Sequence, residues 1–135
     1  MKVSVITISY NSVFTIEDTI KSVLAQKDID LEYIIVDGGS TDGTLDIINK
    51  YKNKIDKIIS EPDRGIYDAM NKGIKCATGD VVGILNSDDF FKDHNVLSKV
   101  VNFFDKTRMD GIYGDIEYVD RVQTQKRVRL WKTGK

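Results

Sequence analysis

The chain has 135 residues, of which 41% are hydrophobic and 30% charged, a composition that is typical of one globular domain with a core and excludes general disorder. Its 20 Lys and Arg nearly balance 21 Asp and Glu, which argues against a general nucleic-acid-binding protein. The single cysteine excludes an internal disulfide, no stretch is long enough to span a bilayer, and the short apolar run near the N-terminus does not resemble a signal peptide, so we expect a cytoplasmic protein.

The N-terminal residues predict a strand followed by a helix. Residues 3–8 are rich in β-branched side chains, which favour a strand, and the polar residues 9–12 end it. A helix begins at about Thr15, because apolar side chains then recur on one helical face. Thr15 and Asp18 resemble a capping box in which Asp replaces Glu, so we expect Thr15 to cap this helix.

A second strand–helix unit and a third strand follow. Residues 31–36 predict a buried strand that stops at a loop, residues 37–44, which is dense in Gly, Ser and Asp. The next helix carries the apolar residues of the segment 45–51, and we expect Asp42 to cap it. Residues 55–60 predict the third strand.

The second half of the chain continues the alternation. The loop 61–65 precedes apolar residues at helical spacing over 66–77, which predict a helix. A short Val- and Ile-rich run that begins at Val81 predicts a buried strand, and apolar residues over 97–104 predict the helix after it. Residues 111–116 predict the last strand.

Strands that alternate with helices predict an α/β fold, with a mostly parallel, doubly wound sheet, flanking helices and right-handed crossovers. In such a sheet, ligands bind just beyond the carboxyl ends of the strands. Three polar or acidic segments follow strands, namely residues 9–12, 37–44 and 86–89. We therefore expect these segments to meet at the same edge of the sheet.

Two adjacent carboxylates, Asp88 and Asp89, end the strand that begins at Val81. Neighbouring carboxylates repel each other unless a cation, a proton or hydrogen-bond donors compensate them. Oxygen ligands suit Mg2+ or Mn2+, and such ions commonly bridge to substrate phosphates. The alternative interpretation is an ordinary polar turn, because Asn, Ser and Asp are common turn residues.

Three motifs in combination resemble those of family 2 glycosyltransferases with the GT-A fold. They are the first strand with Tyr10-Asn11, the segment Val36-Asp37-Gly38-Gly39-Ser40-Thr41-Asp42-Gly43-Thr44, and Asn86-Ser87-Asp88-Asp89. The segment from Glu61 to Gly73 resembles the branch that builds O-antigen and other bacterial surface polysaccharides. The resemblance covers the chain from Lys2 to about Asp120 and implies a Rossmann-like half that binds a nucleotide sugar.

The resemblance implies a nucleotide pocket that is lined by Thr7, Ser9, Tyr10, Asn11, Asp37, Arg64 and Asp88. In that pocket Thr7 and its neighbours act largely through their backbone, Asp37 accepts a hydrogen bond from the base, usually uracil, and Asp88 lies near the ribose. Asp89 ligates a divalent metal, Mn2+ or Mg2+, that holds the diphosphate. The family's Asp-x-Asp pattern is incomplete, because Ser87 stands two positions before Asp89. Asp68 and Asn71 have two equal interpretations, contact with the donor sugar or phosphate and plain helix capping.

The implied reaction is an inverting transfer, in which an acceptor hydroxyl displaces the nucleoside diphosphate in one step. It needs a general base, which the resemblance places beyond Lys135, so no catalytic residue is assigned. Asp115, Glu117 and Asp120 follow the last predicted strand and could face the sugar, but they are interpreted first as a strand-end turn and a solvated face. A fragment that binds the donor without turnover is the alternative function.

Residues 121–135 contain several Lys and Arg, the only tryptophan, Trp131, and no acid. We expect residues 1–120 to form the donor-binding domain and residues 121–135 to begin a truncated acceptor-binding half. A frayed terminus, or a basic strip for phosphates or an anionic membrane surface, is the alternative.

The implied partners are a nucleotide-sugar donor and a saccharide or lipid-linked saccharide acceptor. A lipid-linked acceptor would bring the protein to the inner face of the cytoplasmic membrane. Peripheral membrane association and a homodimer are left open, and nucleic acid is not expected.

Two other classes of α/β protein are weighed against this family. A phosphoacceptor receiver domain needs an acidic pair directly after the first strand, where this chain has Ser9-Tyr10-Asn11. A dinucleotide-binding oxidoreductase needs Gly-x-Gly-x-x-Gly after the same strand, and that pattern and a Walker-type phosphate loop are both absent from the sequence.

Overall fold

The computed structural model describes residues 1–119 and 126–131, in two compact units that comprise residues 1–103 and 104–135. Strands and helices alternate through the first unit. In chain order the elements are β1 (Lys2–Ser9), α1 (Ile16–Leu24), β2 (Asp30–Asp37), α2 (Thr44–Lys50), a 3-10 helix (Lys52–Lys54), β3 (Lys57–Ser60), α3 (Ile66–Cys76), β4 (Val81–Asn86) and α4 (Val96–Lys106).

The four strands β1–β4 form one parallel sheet in the order β3-β2-β1-β4. The register pairs the last residue of β1, Ser9, with Asp37 of β2, and Asp37 in turn with Ser60 of β3. On the other side of β1, Ile8 pairs with Asn86, the last residue of β4. All four strands therefore end at nearly the same level, and the predicted α/β class with a parallel sheet is confirmed.

Alternate residues of β1 and β2 are buried on opposite faces of the sheet. On one face Val5 belongs to a cluster that includes Ile20 of α1 and Ile48 of α2. On the other face Ile6 and its neighbours pack with Ala69 of α3. Apolar cover on both faces explains why these strands read as nearly continuous hydrophobic runs, and it makes the sheet doubly wound as predicted.

A buried carboxylate stabilises the amino-terminal edge of the sheet. Glu32 Oε1 accepts hydrogen bonds from Ser4 Oγ at 2.7 Å and Thr78 N–H at 2.8 Å, and Glu32 Oε2 accepts one from Thr78 Oγ1 at 2.8 Å. Lys2 Nζ lies 3.6 Å from Glu32 Oε2. The hydrogen bonds from Ser4 and Thr78 outweigh the effect of burial and lower the pKa of Glu32 from 4.5 to about 2. This cluster joins β1, β2 and the turn before β4.

Two local predictions are wrong. Thr15 makes no side-chain capping bond, and its hydroxyl contacts the carbonyl of Ser12 at 3.5 Å instead. The third strand begins at Lys57 and not at residue 55, because Asp56 turns its side chain back to accept the N–H of Tyr33 at 2.7 Å.

The predicted strand over 111–116 is also wrong. Residues 111–115 have no regular structure, and strand β5 (Ile116–Val119) begins only at its last residue. Glycines at 111 and 114 present no side chain for packing, which disfavours a strand there. Strand β5 pairs antiparallel with β6 (Arg127–Trp131) and does not extend the parallel sheet.

Part of the basic C-terminal segment forms strand β6. Within the hairpin, Arg127 Nη1 lies 3.5 Å from Glu117 Oε1, and the guanidinium of Arg129 lies 5.8 Å from the centre of the Tyr118 ring. Glu117 thus lies within a strand, not in a turn after one. Asp120 and residues 121–125 and 132–135 lie outside the described residues, and the predicted domain boundary at 120 stays a prediction.

No helix within residues 1–119 and 126–131 is both long enough and apolar enough to cross a bilayer.

Candidate functional site

Four loops follow the carboxyl ends of the parallel strands. They are residues 10–15 after β1, 38–43 after β2, 61–65 after β3 and 87–95 after β4, here called loops 1 to 4. Because the strands are parallel and end at one level, the loops lie at a single edge of the sheet, as the sequence predicts.

Asp37 organises the start of loop 2. Its side chain is fully buried, and its two oxygens accept five hydrogen bonds from the protein. Oδ1 accepts the hydroxyls of Ser9 at 2.9 Å and Ser40 at 2.5 Å. Oδ2 accepts the N–H groups of Gly39 at 3.0 Å and Ser40 at 2.8 Å and the hydroxyl of Ser60 at 3.1 Å. These donors compensate the burial of a carboxylate, and the predicted bond from a base to Asp37 stays a prediction.

Loop 1 is fastened to loop 2 by Asn11. The Asn11 N–H donates to Ser40 Oγ at 2.8 Å, and Asn11 Oδ1 accepts the N–H of Thr41 at 2.9 Å. Asn11 adopts a φ of +48°, a left-handed conformation that Asn tolerates better than most residues. The preceding side chain, Tyr10, is 65% exposed. The structure thus places Tyr10 and Asn11 at the carboxyl edge of the sheet, where Asn11 holds the two loops together, and the contact of both residues with a nucleotide stays a prediction.

Asp42 caps helix α2 as predicted. Its Oδ1 accepts the N–H of Thr44, the first residue of α2, at 3.0 Å and the hydroxyl of Thr44 at 2.5 Å. The Thr44 hydroxyl is the main reason that the pKa of Asp42 is lowered. Its Oδ2 accepts the N–H of Val13 at 3.1 Å, so the cap also holds loop 1.

Loop 4 is held by hydroxyl groups that sequence reasoning missed. The hydroxyls of Ser12 and Ser87 are 2.6 Å apart, and Ser87 N–H donates to Ile8 O at 3.2 Å. Thr19 Oγ1 lies 3.0 Å from the carbonyl oxygen of Ser87 and 2.5 Å from that of Asp89, so it donates to this turn from helix α1. A sequence signal for Thr19 exists, because a buried hydroxyl on the apolar face of a helix needs a partner.

Asp88 and Asp89 end this arrangement with both side chains exposed. Loss of water contacts to the protein atoms on one side of Asp89, together with the neighbouring charge of Asp88, raises the pKa of this otherwise exposed carboxyl. Within the described part of the chain, neither carboxylate forms an ion pair with a Lys or Arg, and no group of three or more His, Cys, Asp and Glu could hold a metal. An uncompensated carboxylate pair fits a Mg2+ or Mn2+ ion whose other ligands are waters and phosphate oxygens.

Loop 3 is anchored to helix α3. Asp68 Oδ2 accepts the N–H of Arg64 at 2.9 Å, which is the main reason that its pKa is lowered. Lys72 Nζ lies 3.1 Å from Glu61 Oε1 and donates to Pro62 O at 3.2 Å. Asp68 therefore holds the N–H of the residue before the N-cap of α3, whereas the side chains of Arg64 and Asn71 are exposed, and contact of Asp68 and Asn71 with the donor stays a prediction.

Thr7 lies apart from the other residues assigned to the nucleotide pocket. It is fully buried in the middle of β1, between Ile35 of β2 and Leu85 of β4. Its hydroxyl is 2.9 Å from the hydroxyl of Tyr33. Its position makes Thr7 part of the core, two residues before the strand end where Ser9 meets Asp37.

Comparisons with known proteins agree with this architecture. The family model of Glycosyl transferase family 2 matches residues 4–134. An uncharacterized glycosyltransferase of Nostoc sp. is 38% identical over 123 residues, which are 89% of this chain and 38% of that protein. A PGL/p-HBAD biosynthesis glycosyltransferase of Mycobacterium bovis is 35% identical over 117 residues, which are 84% of this chain and 46% of that protein.

Two solved structures extend the likeness to the fold. TarS of S. aureus in complex with UDP-GlcNAc superposes with a TM-score of 0.73 and 32% identity, over 82% of this chain and 33% of that one. A mannosyltransferase of Pyrobaculum calidifontis in complex with GDP-Man and Mn2+ superposes with a TM-score of 0.71 and 26% identity, over 87% of this chain and 35% of that one.

The chain thus spans less than half of the length of these relatives, 38% and 46% of the two curated proteins. The match nevertheless extends over nearly all of its own residues, and it includes every strand of the parallel sheet and all four loops. The chain therefore belongs to glycosyl transferase family 2.

Proposed function

We propose that this chain is the donor-binding part of an inverting, metal-dependent glycosyltransferase. The donor is a nucleoside-diphosphate sugar, and specifically a UDP-sugar. The acceptor is a hydroxyl of a saccharide or lipid-linked saccharide in the synthesis of a bacterial surface polysaccharide. The complexes of TarS with UDP-GlcNAc and of the mannosyltransferase with GDP-Man and Mn2+ support this class of donor and of cation.

One observation carries the proposal. The carboxylates of Asp88 and Asp89 in loop 4 form no ion pair within the described part of the chain, and side-chain hydrogen bonds already hold loop 4 to loop 1 and loop 1 to loop 2. A site that is organised before its ligand binds loses little conformational entropy on binding. Clustered negative charge without a cation is unfavourable on its own, and a metal–diphosphate complex would relieve it.

The residues of the chain have distinct tasks in this proposal. The exposed Tyr10 lines the nucleotide pocket, and Ser9 and Asn11 act with Asp37 to fix the loops that surround it. Asp88 lies near the ribose, and Asp89 holds the divalent cation. When bound, the cation supplies positive charge where the leaving diphosphate becomes more negative.

Arg64 is suited to a phosphate. Its backbone is fixed by Asp68, while its guanidinium is exposed at the carboxyl edge of the sheet. A planar guanidinium donates two parallel hydrogen bonds to an anionic oxygen pair. Asp68 thus acts by positioning Arg64, and the exposed amide of Asn71 is left to contact the donor sugar or phosphate.

The general base and the acceptor site belong in this proposal to a part of the protein outside these 135 residues. The chain spans only 38% and 46% of the two curated relatives described above, which leaves room for such a part in proteins of this kind. The chain on its own is therefore expected to bind the donor without transferring the sugar.

The proposal is tested by calorimetric titration of the chain with UDP, with and without Mn2+. Wild-type protein should bind UDP more tightly with Mn2+, and Asp89→Asn should lose that difference. Asp46→Asn is a matched control, because it neutralises an exposed carboxylate on α2 that lies outside loops 1 to 4 and makes no side-chain hydrogen bond or ion pair with the described residues. Binding by Asp89→Asn that still strengthens with Mn2+ would show that Asp89 is not the metal ligand.

A further inference from the structure

The buried state of Asp37 raises the question of which carboxylate is available to a nucleotide base. Both oxygens of Asp37 accept hydrogen bonds from the protein, and the side chain has no exposed surface. A base could reach it only by displacing one of those donors and leaving it unpaired, which is costly for a buried group. Another acceptor in the same place would avoid that cost.

Asp63 of loop 3 places a carboxylate next to loop 2. Gly38 follows Asp37 and has no side chain, and a Cβ atom at Gly38 would lie 2.8 Å from Asp63 Oδ2 and 3.3 Å from Asp63 Cγ. The Asp63 carboxylate thus fills the space that a side chain at position 38 would occupy. The two loops also meet at Gly39, where a Cβ would lie 3.5 Å from the nitrogen of Pro62.

Asp63 is held in place but keeps a free acceptor. Its Oδ1 accepts the N–H of Gly65 at 3.0 Å, and Gly65 adopts a φ of +111°, which glycine tolerates without strain. Lys72 fixes the residues on the other side of Asp63 through Glu61 and Pro62. Asp63 Oδ2 accepts no hydrogen bond from any residue that the structure describes. The residue is half-buried, so part of its surface is open to a ligand while its carboxylate is held between loops 2 and 3.

We infer that Asp63 recognises the base of the nucleotide donor, and that its Oδ2 accepts a hydrogen bond from the N3–H of uracil. This inference rests on the proposed function and adds to it the residue that selects the base. An ionised carboxylate only accepts hydrogen bonds. It therefore favours uracil, whose ring nitrogen N3 carries a hydrogen, over cytosine, whose N3 carries a lone pair that repels it.

The decisive variant is Asp63→Asn, which preserves size and an oxygen for the N–H of Gly65. Its amide NH2 group donates where the carboxylate accepted, so it matches cytosine and opposes uracil. UDP affinity should fall about ten- to hundredfold, because a hydrogen bond to a charged group is lost and a donor faces a donor. CDP affinity should stay constant or rise, so the preference for UDP over CDP should shrink or reverse.

Gly38→Ala tests the same contact without changing charge. Its methyl group would lie 2.8 Å from Asp63 Oδ2 and displace that oxygen. UDP affinity and the UDP preference should fall in Gly38→Ala, and adding Gly38→Ala to Asp63→Asn should cause little further loss of preference. The Asp46→Asn control should keep the wild-type preference, and circular dichroism of each variant checks that it is folded.

The experiment measures the affinities of UDP, CDP and N3-methyl-UDP in the presence of Mn2+. Wild-type protein should prefer UDP to both analogues, and Asp63→Asn should lose that preference. An unchanged UDP-to-CDP ratio in folded Asp63→Asn, with Mn2+-dependent binding intact, would overturn the inference and leave the proposed function standing. If wild-type protein binds none of these nucleotides, the proposed function fails and the inference fails with it.

Discussion

The role assigned to Asp37 leads to a prediction about stability that depends on the geometry of its five hydrogen bonds. In Asp37→Asn, the amide NH2 group must replace one of the two carboxylate oxygens. It cannot replace Oδ2, because the N–H groups of Gly39 and Ser40 point there and cannot be reversed. It can replace Oδ1, where both partners are hydroxyls, of Ser9 and Ser40, that rotate to accept.

This geometry sets the size of the effect. Asp37→Asn keeps an oxygen for the backbone donors but loses the stronger, charge-assisted bonds, so we expect about 2 kcal/mol less stability. Asp37→Ala leaves buried donors without any acceptor and should cost about 3–5 kcal/mol. Urea unfolding followed by far-ultraviolet circular dichroism gives both values, with Asp46→Asn as the exposed control.

The same variants separate a role in loop structure from direct contact with the base. A loop organiser that does not touch the base should weaken binding of UDP and CDP by similar factors in Asp37→Asn. Two results would refute the reasoning: an Asn variant as stable as wild type, or a loss of the UDP-to-CDP preference in Asp37→Asn while Asp63→Asn retains it. The second result would support the base contact that the family resemblance implies for Asp37.

Two further predictions follow from the described contacts. Glu32→Gln should lower the free energy of unfolding by about 2 kcal/mol at pH 7. Because folding lowers the pKa of Glu32 from 4.5 to about 2, the difference from wild type should disappear as the pH falls through that range. A constant difference in urea unfolding between pH 7 and pH 2.5 would contradict this prediction. Thr19→Val preserves shape but removes the hydroxyl that donates to the carbonyls of Ser87 and Asp89. It should lower the free energy of unfolding by about 1–2 kcal/mol and weaken Mn2+-dependent UDP binding. The control Thr41→Val, on the exposed part of loop 2, should leave the free energy of unfolding nearly unchanged.

The order of the main strands and helices could be predicted because the spacing of apolar residues within each segment indicates which of the two it forms. The runs in β1, β2 and β4 are rich in Val and Ile, and the helices between them place apolar residues at helical spacing. Local capping and strand ends could not be predicted as well. Thr15 stands where a capping residue is expected, yet its hydroxyl contacts the carbonyl of Ser12. Asp56 lies in the predicted strand 55–60, yet its side chain bonds to Tyr33 and β3 begins one residue later.

The prediction of the last strand was wrong for a different reason. Residues 111–116 include Ile112 and Tyr113, which favour strands, but the strand that forms begins at Ile116 and pairs with residues later in the chain. Strand propensity reflects the packing of a half-buried surface, so it depends on a partner strand that a local segment does not specify.

By itself, the sequence determined the α/β class, the edge of the sheet at which a ligand would bind, and the carboxylates and loops that stand there. These features depend on periodicity along the chain and on the rule that parallel strands share a carboxyl edge. Only the tertiary structure decided which of those side chains are available. It buried Asp37 against Ser9 and Ser60 and brought Asp63 against Gly38, and these contacts join residues that are distant in sequence and depend on the spacing between strands. It also bonded Asp68 to the N–H of Arg64.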